Sequence, residues 1–68
     1  MDEELEKAKT LLTHWIHHNS EHKTDFEEWA KKLSNLGAEK TSAEIYNAAK
    51  MMDKVNEHLT KALTILGE

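Results

Sequence analysis

The chain has 68 residues, of which 38% are hydrophobic and 32% charged, with two glycines, no proline and no cysteine. The absence of cysteine excludes disulfide bridges, cysteine-based zinc sites and thiol catalysis, and a net charge of −4 with no arginine argues against binding to nucleic acid or to an anionic membrane. A chain below about 70–80 residues rarely buries enough apolar area to be stable alone, so we expect support from a metal, a second subunit or very regular helix packing.

The first predicted element is a helix over about residues 3–35. Asp2 is a suitable N-cap, and the acidic residues after it favour the positive end of the helix dipole. Because the chain lacks proline and has glycine only at positions 37 and 67, nothing inside this segment is expected to end a helix. Gly37 suits the position just after the last helical residue, where a left-handed backbone is common.

A break near residues 19–24 is the alternative for this segment. The stretch contains poor or middling helix formers, and Thr24 with Glu27 can form a capping box. The chain would then be a three-helix bundle with helices of about 3–18, 24–36 and 42–66. The apolar phase does not slip between Ile16 and Phe26, which favours one continuous helix.

The second predicted element is a helix over about residues 42–66. The residues Thr-Ser-Ala-Glu at 41–44 are typical of an N-cap with a capping box, so residues 37–41 are predicted to form the turn. A turn this short makes the two helices antiparallel neighbours. We therefore predict an all-α fold, with a single domain over residues 1–68 built on an antiparallel helical hairpin.

Each predicted helix carries an apolar stripe that needs a partner surface. The aromatic residues Trp15, Phe26 and Trp29 lie on the stripe of the first helix, and we interpret them as core. If the turn is centred on residue 39, Trp29 lies opposite Ala49, and three apolar residues near the start of the first helix have no cover. These are Leu5, Ala8 and Leu11. We therefore expect a homodimer in which two hairpins assemble into a four-helix bundle.

Three polar residues interrupt the apolar stripes. Asn19 and His22 lie in the first stripe and Asn56 in the second, and the same turn centre places His22 opposite Asn56. These residues are predicted to form a polar layer in the core, which would fix the register and the oligomeric state. His58 borders this layer and can join it from the flank.

A transition-metal site is the alternative interpretation of this layer. His22 and His58, doubled by a dimer axis, can bind Zn²⁺ or a similar ion, with the asparagines orienting the rings. His14, His18 and His22 also follow one another at four-residue spacing, which places them along one helix ridge and makes His18 and His14 further candidate ligands. A solvated face rich in histidine is the simpler interpretation of His14 and His17.

No catalytic site is predicted. The chain contains neither an H-E-x-x-H nor an E-x-x-H pattern, no glycine-rich phosphate loop and no recognisable nucleophile setting. No apolar run approaches the roughly 18 residues that a membrane span needs. The acidic start of the chain is unlike a signal peptide, so we expect a cytoplasmic location.

The segment from His14 to His22, followed by Phe26 and Trp29-Ala30, resembles an uncharacterised group of small helical prokaryotic proteins with an H-W-I-x-H-N-x-E-H core. The resemblance covers about a quarter of the chain. It carries no established activity and implies that the His, Trp and Asn positions act as a unit.

These observations together predict a small, soluble helical module for assembly or interaction, with a polar Asn/His layer in its core. The alternative is an accessory protein that binds a transition metal through histidine.

Overall fold

The computed structural model describes residues 2–68, which form two antiparallel helices packed against each other and no strand. Helix α1 spans Glu3–Asn35 and helix α2 spans Glu39–Leu66. The predicted all-α fold is thus confirmed, and the described residues contain two helices rather than three. Neither helix is long and apolar enough to cross a membrane.

Helix α1 continues through the stretch where a break was the alternative. The Ser20 hydroxyl donates to the Ile16 carbonyl at 3.0 Å, and the Thr24 hydroxyl donates to the Ser20 carbonyl at 3.2 Å. These hydroxyls therefore bond one turn back along the same helix instead of capping a new one. The three-helix alternative is wrong because the polar residues are satisfied within the helix.

Both ends of α1 are formed by local signals that the sequence carries. The Asp2 carboxylate accepts a hydrogen bond from the Glu4 amide at 2.8 Å and caps the first turn. At the other end Gly37 has a φ of +90°, which glycine adopts without steric cost. The Ala38 amide donates to the Leu33 carbonyl at 2.9 Å, and the Gly37 amide donates to the Ser34 carbonyl at 3.0 Å. These two bonds form a Schellman motif.

Helix α2 begins three residues earlier than predicted. Its N-cap is Ala38, which has no side-chain capping bond, so the capping box predicted at residues 41–44 is wrong. Ser42 is instead buried between the helices, where its hydroxyl donates to the Ala30 carbonyl at 2.7 Å. The reason is the compact Schellman turn, which reverses the chain before the Thr-Ser pair is reached.

The earlier start of α2 moves the register of the hairpin. The side chain of Asn19 lies against that of Asn56, so the centre of the turn falls near residue 37 and not at 39. The predicted juxtaposition of His22 with Asn56 is therefore wrong, and His22 lies almost one helical turn further along α1. The overhang of α1 is correspondingly shorter, with Leu5 and Leu11 about half exposed.

The covered residues of α2 recur at alternating steps of three and four. They are Ser42, Ile45, Ala49, Met52, Asn56, Leu59, Leu63 and Leu66, and the covered N-cap Ala38 continues the pattern. In α1 seven of the covered positions follow the same steps: Leu12, Ile16, Asn19, Lys23, Phe26, Ala30 and Leu33. This spacing is the a/d repeat of a coiled coil, and we call these positions the inner seam.

The inner seam buries little. Only Ala30 and Ala49 are fully buried apolar residues among those described. The hairpin measures 54 × 14 × 11 Å between Cα atoms and has a radius of gyration of 15.7 Å, against about 11 Å for a compact domain of this length. Trp15 and Trp29 are 45% and 56% exposed, so their assignment to the core of a single hairpin is wrong. Two helices offer one narrow seam, and both indoles lie beside it.

Candidate functional site

One long side of the hairpin is apolar. Of the nine large hydrophobic side chains exposed among the described residues, seven lie on this side. Six of them directly precede an inner-seam position, and Leu36 follows Trp29 at an interval of seven residues. The seven are Leu11, Trp15, Trp29, Leu36, Met51, Val55 and Ile65. In an antiparallel pair, the positions just before the seam on both helices lie along the same edge. We call this side, which also includes Ala48 and Ala62, the outer face.

The opposite edge is polar and holds an ion pair and a hydrogen bond between the helices. The Lys23 ammonium and the Asp53 carboxylate are 2.9 Å apart. The hydrogen bond to Asp53, together with the charges of Asp53 and Glu27, raises the pKa of Lys23 and outweighs partial desolvation. Ser20, on the same edge, accepts a hydrogen bond from the Asn56 amide at 3.2 Å. The hairpin therefore has two chemically different sides.

The predicted polar layer is present in part. The Asn19 amide donates to the Asn56 carbonyl oxygen at 3.1 Å, and the Asn56 amide donates to the Ile16 carbonyl at 3.2 Å. His22 takes no part in these bonds. No buried side-chain nitrogen or oxygen in the described residues lacks a partner, so the layer is satisfied without a histidine.

His22 belongs instead to a ladder of imidazoles along α1. The rings of His14 and His18 stack with centroids 5.8 Å apart, and those of His18 and His22 meet edge to face at 4.4 Å. The Nε2 atoms of His18 and His22 are 2.9 Å apart, which requires one nitrogen to carry the proton and the other to accept it. The ladder ends on Phe26, whose ring centroid is 6.0 Å from that of His22.

The other predicted ligand, His58, lies exposed on α2 along the outer face and makes no hydrogen bond with His22. His17 points elsewhere and lies 3.4 Å from the Glu21 carboxylate. Within residues 2–68 of one chain, no group of three or more His, Asp or Glu side chains can hold a metal ion together. A single hairpin thus brings the Nε2 atoms of His18 and His22 together and leaves His58 apart on the other helix.

The outer face was missed because the indoles were assigned to the core. The signal that identifies it is a strict seven-residue spacing, which runs through Ala8, Trp15, His22, Trp29 and Leu36. Packing of the inner seam alone does not require apolar residues every seven positions on the neighbouring stripe of the same helix. The spacing therefore marks a second apolar repeat on α1.

Comparison with known proteins gives a family but no activity. Residues 8–66 match a domain of unknown function, DUF8180. An uncharacterised protein of Archaeoglobus fulgidus is 36% identical over 63 residues, which cover 93% of this chain and 100% of that protein. No solved structure matches the chain. A short archaeal relative agrees with the expected uncharacterised group of small prokaryotic proteins.

Proposed function

The chain belongs to the DUF8180 family of unknown function, and we propose that it is a self-assembly module, in which two hairpins pair through their outer faces to form a four-helix bundle. The observation that carries this proposal is the offset between the two apolar repeats. In both helices the outer repeat lies one residue before the inner seam, which is a rotation of about 100°. In a square four-helix bundle each helix has two neighbours about 90° apart, so the two repeats suit the two neighbours.

The exposed area supports the same proposal. The hairpin exposes 5299 Å², whereas a compact monomer of 7.8 kDa would expose about 4400 Å². The excess of about 900 Å² is close to the roughly 800 Å² that each partner contributes to a standard interface. A second copy of the chain therefore supplies the area that the fold leaves unburied.

The side-chain sizes on the outer face select one orientation of the second copy. Because Asn19 lies beside Asn56, Trp29 is nearly level with Ala48, and Trp15 is nearly level with Ala62. A twofold axis parallel to the helices would place each α1 over the partner's α2, so that each indole meets an alanine. An axis across the helices would place indole on indole along one side and alanine on alanine along the other, which packs unevenly.

The charges at the border of the outer face agree with this orientation. Lys32, whose ammonium lies 4.6 Å from the Trp29 ring centroid, is level with Glu44 but on the opposite border of the hairpin. With α1 over the partner's α2, Lys32 meets the partner's Glu44, and Leu11 meets the partner's Ile65. With α1 over the partner's α1, Lys32 would lie near the partner's Leu11. The complementary charges favour the first arrangement.

Light scattering coupled to size exclusion, in EDTA and over a concentration series, tests the pairing. We expect twice the chain mass of 7.8 kDa for the unmodified protein. Val55→Glu places a charge in the outer face and should give a monomer or an unfolded chain, whereas Thr60→Glu on the polar edge should remain dimeric. If the unmodified protein is a folded monomer at high concentration, the proposal is overturned.

Cysteine cross-linking tests the orientation, since the chain has no cysteine of its own. Under mild oxidation, Lys32→Cys/Glu44→Cys should form a covalent dimer, because the two positions meet only between chains. The single variant Lys32→Cys should not cross-link, since the two copies of residue 32 lie on opposite sides of the bundle. A dimer by light scattering that fails to cross-link through the double variant would refute this orientation.

A further inference from the structure

The outer face contains three imidazoles near the middle of the hairpin. His18 and His22 lie on α1, and His58 lies on α2. Because Asn19 is opposite Asn56, His18 and His58 are almost level along the hairpin. They occupy opposite borders of the outer face, as Lys32 and Glu44 do, so one hairpin cannot bring them together.

From this placement we propose a zinc site shared between two chains, with His18 and His22 of one copy and His58 of the partner as ligands. The inference rests on the proposed pairing of α1 over the partner's α2, which brings the partner's His58 opposite His18. The twofold axis then produces two identical sites, one on each side of the bundle. Within residues 2–68 of one chain no group of three or more such side chains can hold an ion, so the proposed site takes its third ligand from the second chain.

The geometry of the His18–His22 pair suits a metal ion. The two Nε2 atoms face each other at 2.9 Å across one helical turn. Two imidazole nitrogens bound to one tetrahedral Zn²⁺ at 2.0–2.1 Å would be about 3.3 Å apart. The rings need to separate by only a few tenths of an ångström for the ion to take the place of the proton that they share.

The donor set indicates the class of metal. Three neutral imidazoles without a carboxylate or thiolate favour Zn²⁺ and its neighbours Ni²⁺ and Cu²⁺ over Mg²⁺ or Ca²⁺. The Glu21 carboxylate, next to His22 in the sequence, lies 3.4 Å from the His17 imidazole instead. A water molecule would therefore complete the tetrahedron, and the fourth position stays open to exchange.

Calorimetric titration of the EDTA-treated and dialysed protein with Zn²⁺ tests the site. We expect one ion per chain, hence two per dimer. The variants His18→Ala, His22→Ala and His58→Ala should each weaken binding by about 10-fold or more, while His17→Ala, on the same helix but off the outer face, should not change it.

Mixing two defective variants tests whether the site spans chains. His58→Ala retains the α1 pair, and His18→Ala/His22→Ala retains His58, so neither homodimer has a complete site. The mixed dimer has one complete site and binds one Zn²⁺ instead of two. Because random exchange makes half of the dimers mixed, we expect an equimolar mixture to recover about a quarter of the original binding, rising toward a half as Zn²⁺ favours the mixed dimer. Binding that is unaffected by His58→Ala, or that mixing does not restore, would overturn the shared site.

The two proposals fail differently. A protein that is dimeric in EDTA but takes up no Zn²⁺ at micromolar concentration would refute the metal site and leave the pairing intact. A protein that is monomeric with and without Zn²⁺ would refute the pairing and the shared site together.

Discussion

Replacing both residues of the Asn19–Asn56 pair with leucine should stabilise the hairpin, although replacing one alone should not. Asn56 makes three hydrogen bonds to α1, with Asn19, Ile16 and Ser20. In Asn56→Leu the half-buried amide of Asn19 loses its partner, which costs about 1–2 kcal/mol. The half-buried leucine recovers about 1–1.5 kcal/mol. The free energy of unfolding of the single variant should therefore lie within about 1 kcal/mol of the original.

In Asn19→Leu/Asn56→Leu no amide is left without a partner. The two leucines, at neighbouring seam positions, contribute about 2–3 kcal/mol, against about 1–2 kcal/mol for the lost hydrogen bonds. A double-mutant cycle should thus show a coupling of about 1 kcal/mol or more in favour of the double variant.

Urea denaturation followed by the fluorescence of Trp15 and Trp29 measures these free energies. All four proteins need the same concentration, since the stability of an associating chain depends on it. A double variant that is less stable than the unmodified protein would refute the reasoning, because the amide pair would then be worth more than the apolar contact that replaces it.

Three further substitutions test the local structure by the same urea denaturation. Gly37→Ala should lower the free energy of unfolding by about 1–2 kcal/mol, because a residue with a Cβ is strained at a φ of +90°, although that Cβ meets no atom within 4 Å. Gly67→Ala is the matched control and should be neutral, since Gly67 has an ordinary φ of −77°. Ser42→Ala should cost about 1 kcal/mol or less, since the Ala30 carbonyl keeps its helical bond, whereas Ser42→Val should cost more by overfilling a buried site. Asp2→Ala should cost about 1 kcal/mol by removing the N-cap, and Asp2→Asn should restore most of it; equal losses in both variants would contradict the capping role.

Much of the fold could be predicted from the sequence because its signals are local. Asp2 and Gly37 end α1 through bonds that reach only a few residues along the chain. The continuity of α1 followed from the unbroken apolar phase, and the hydroxyls of Ser20 and Thr24 proved compatible with it.

The candidate site was harder to predict because it depends on the register between helices. A shift of less than one turn in the start of α2 replaced His22 by Asn19 as the partner of Asn56. A side chain on a helix surface moves to a different neighbour with each residue of shift, so an error of two residues at the turn centre alters every long-range pair.

The sequence by itself favoured two helices, and it carries in each of them two apolar repeats, one residue apart. Which repeat closes the hairpin was decided only by tertiary structure. The Schellman turn at Gly37 brings the helices close together, where Ser42 donates to the Ala30 carbonyl at 2.7 Å. Only small side chains fit at that separation, so the seam containing Ala30 and Ala49 closes within the chain. The repeat containing Trp15 and Trp29 is too bulky for that contact and is left facing outward.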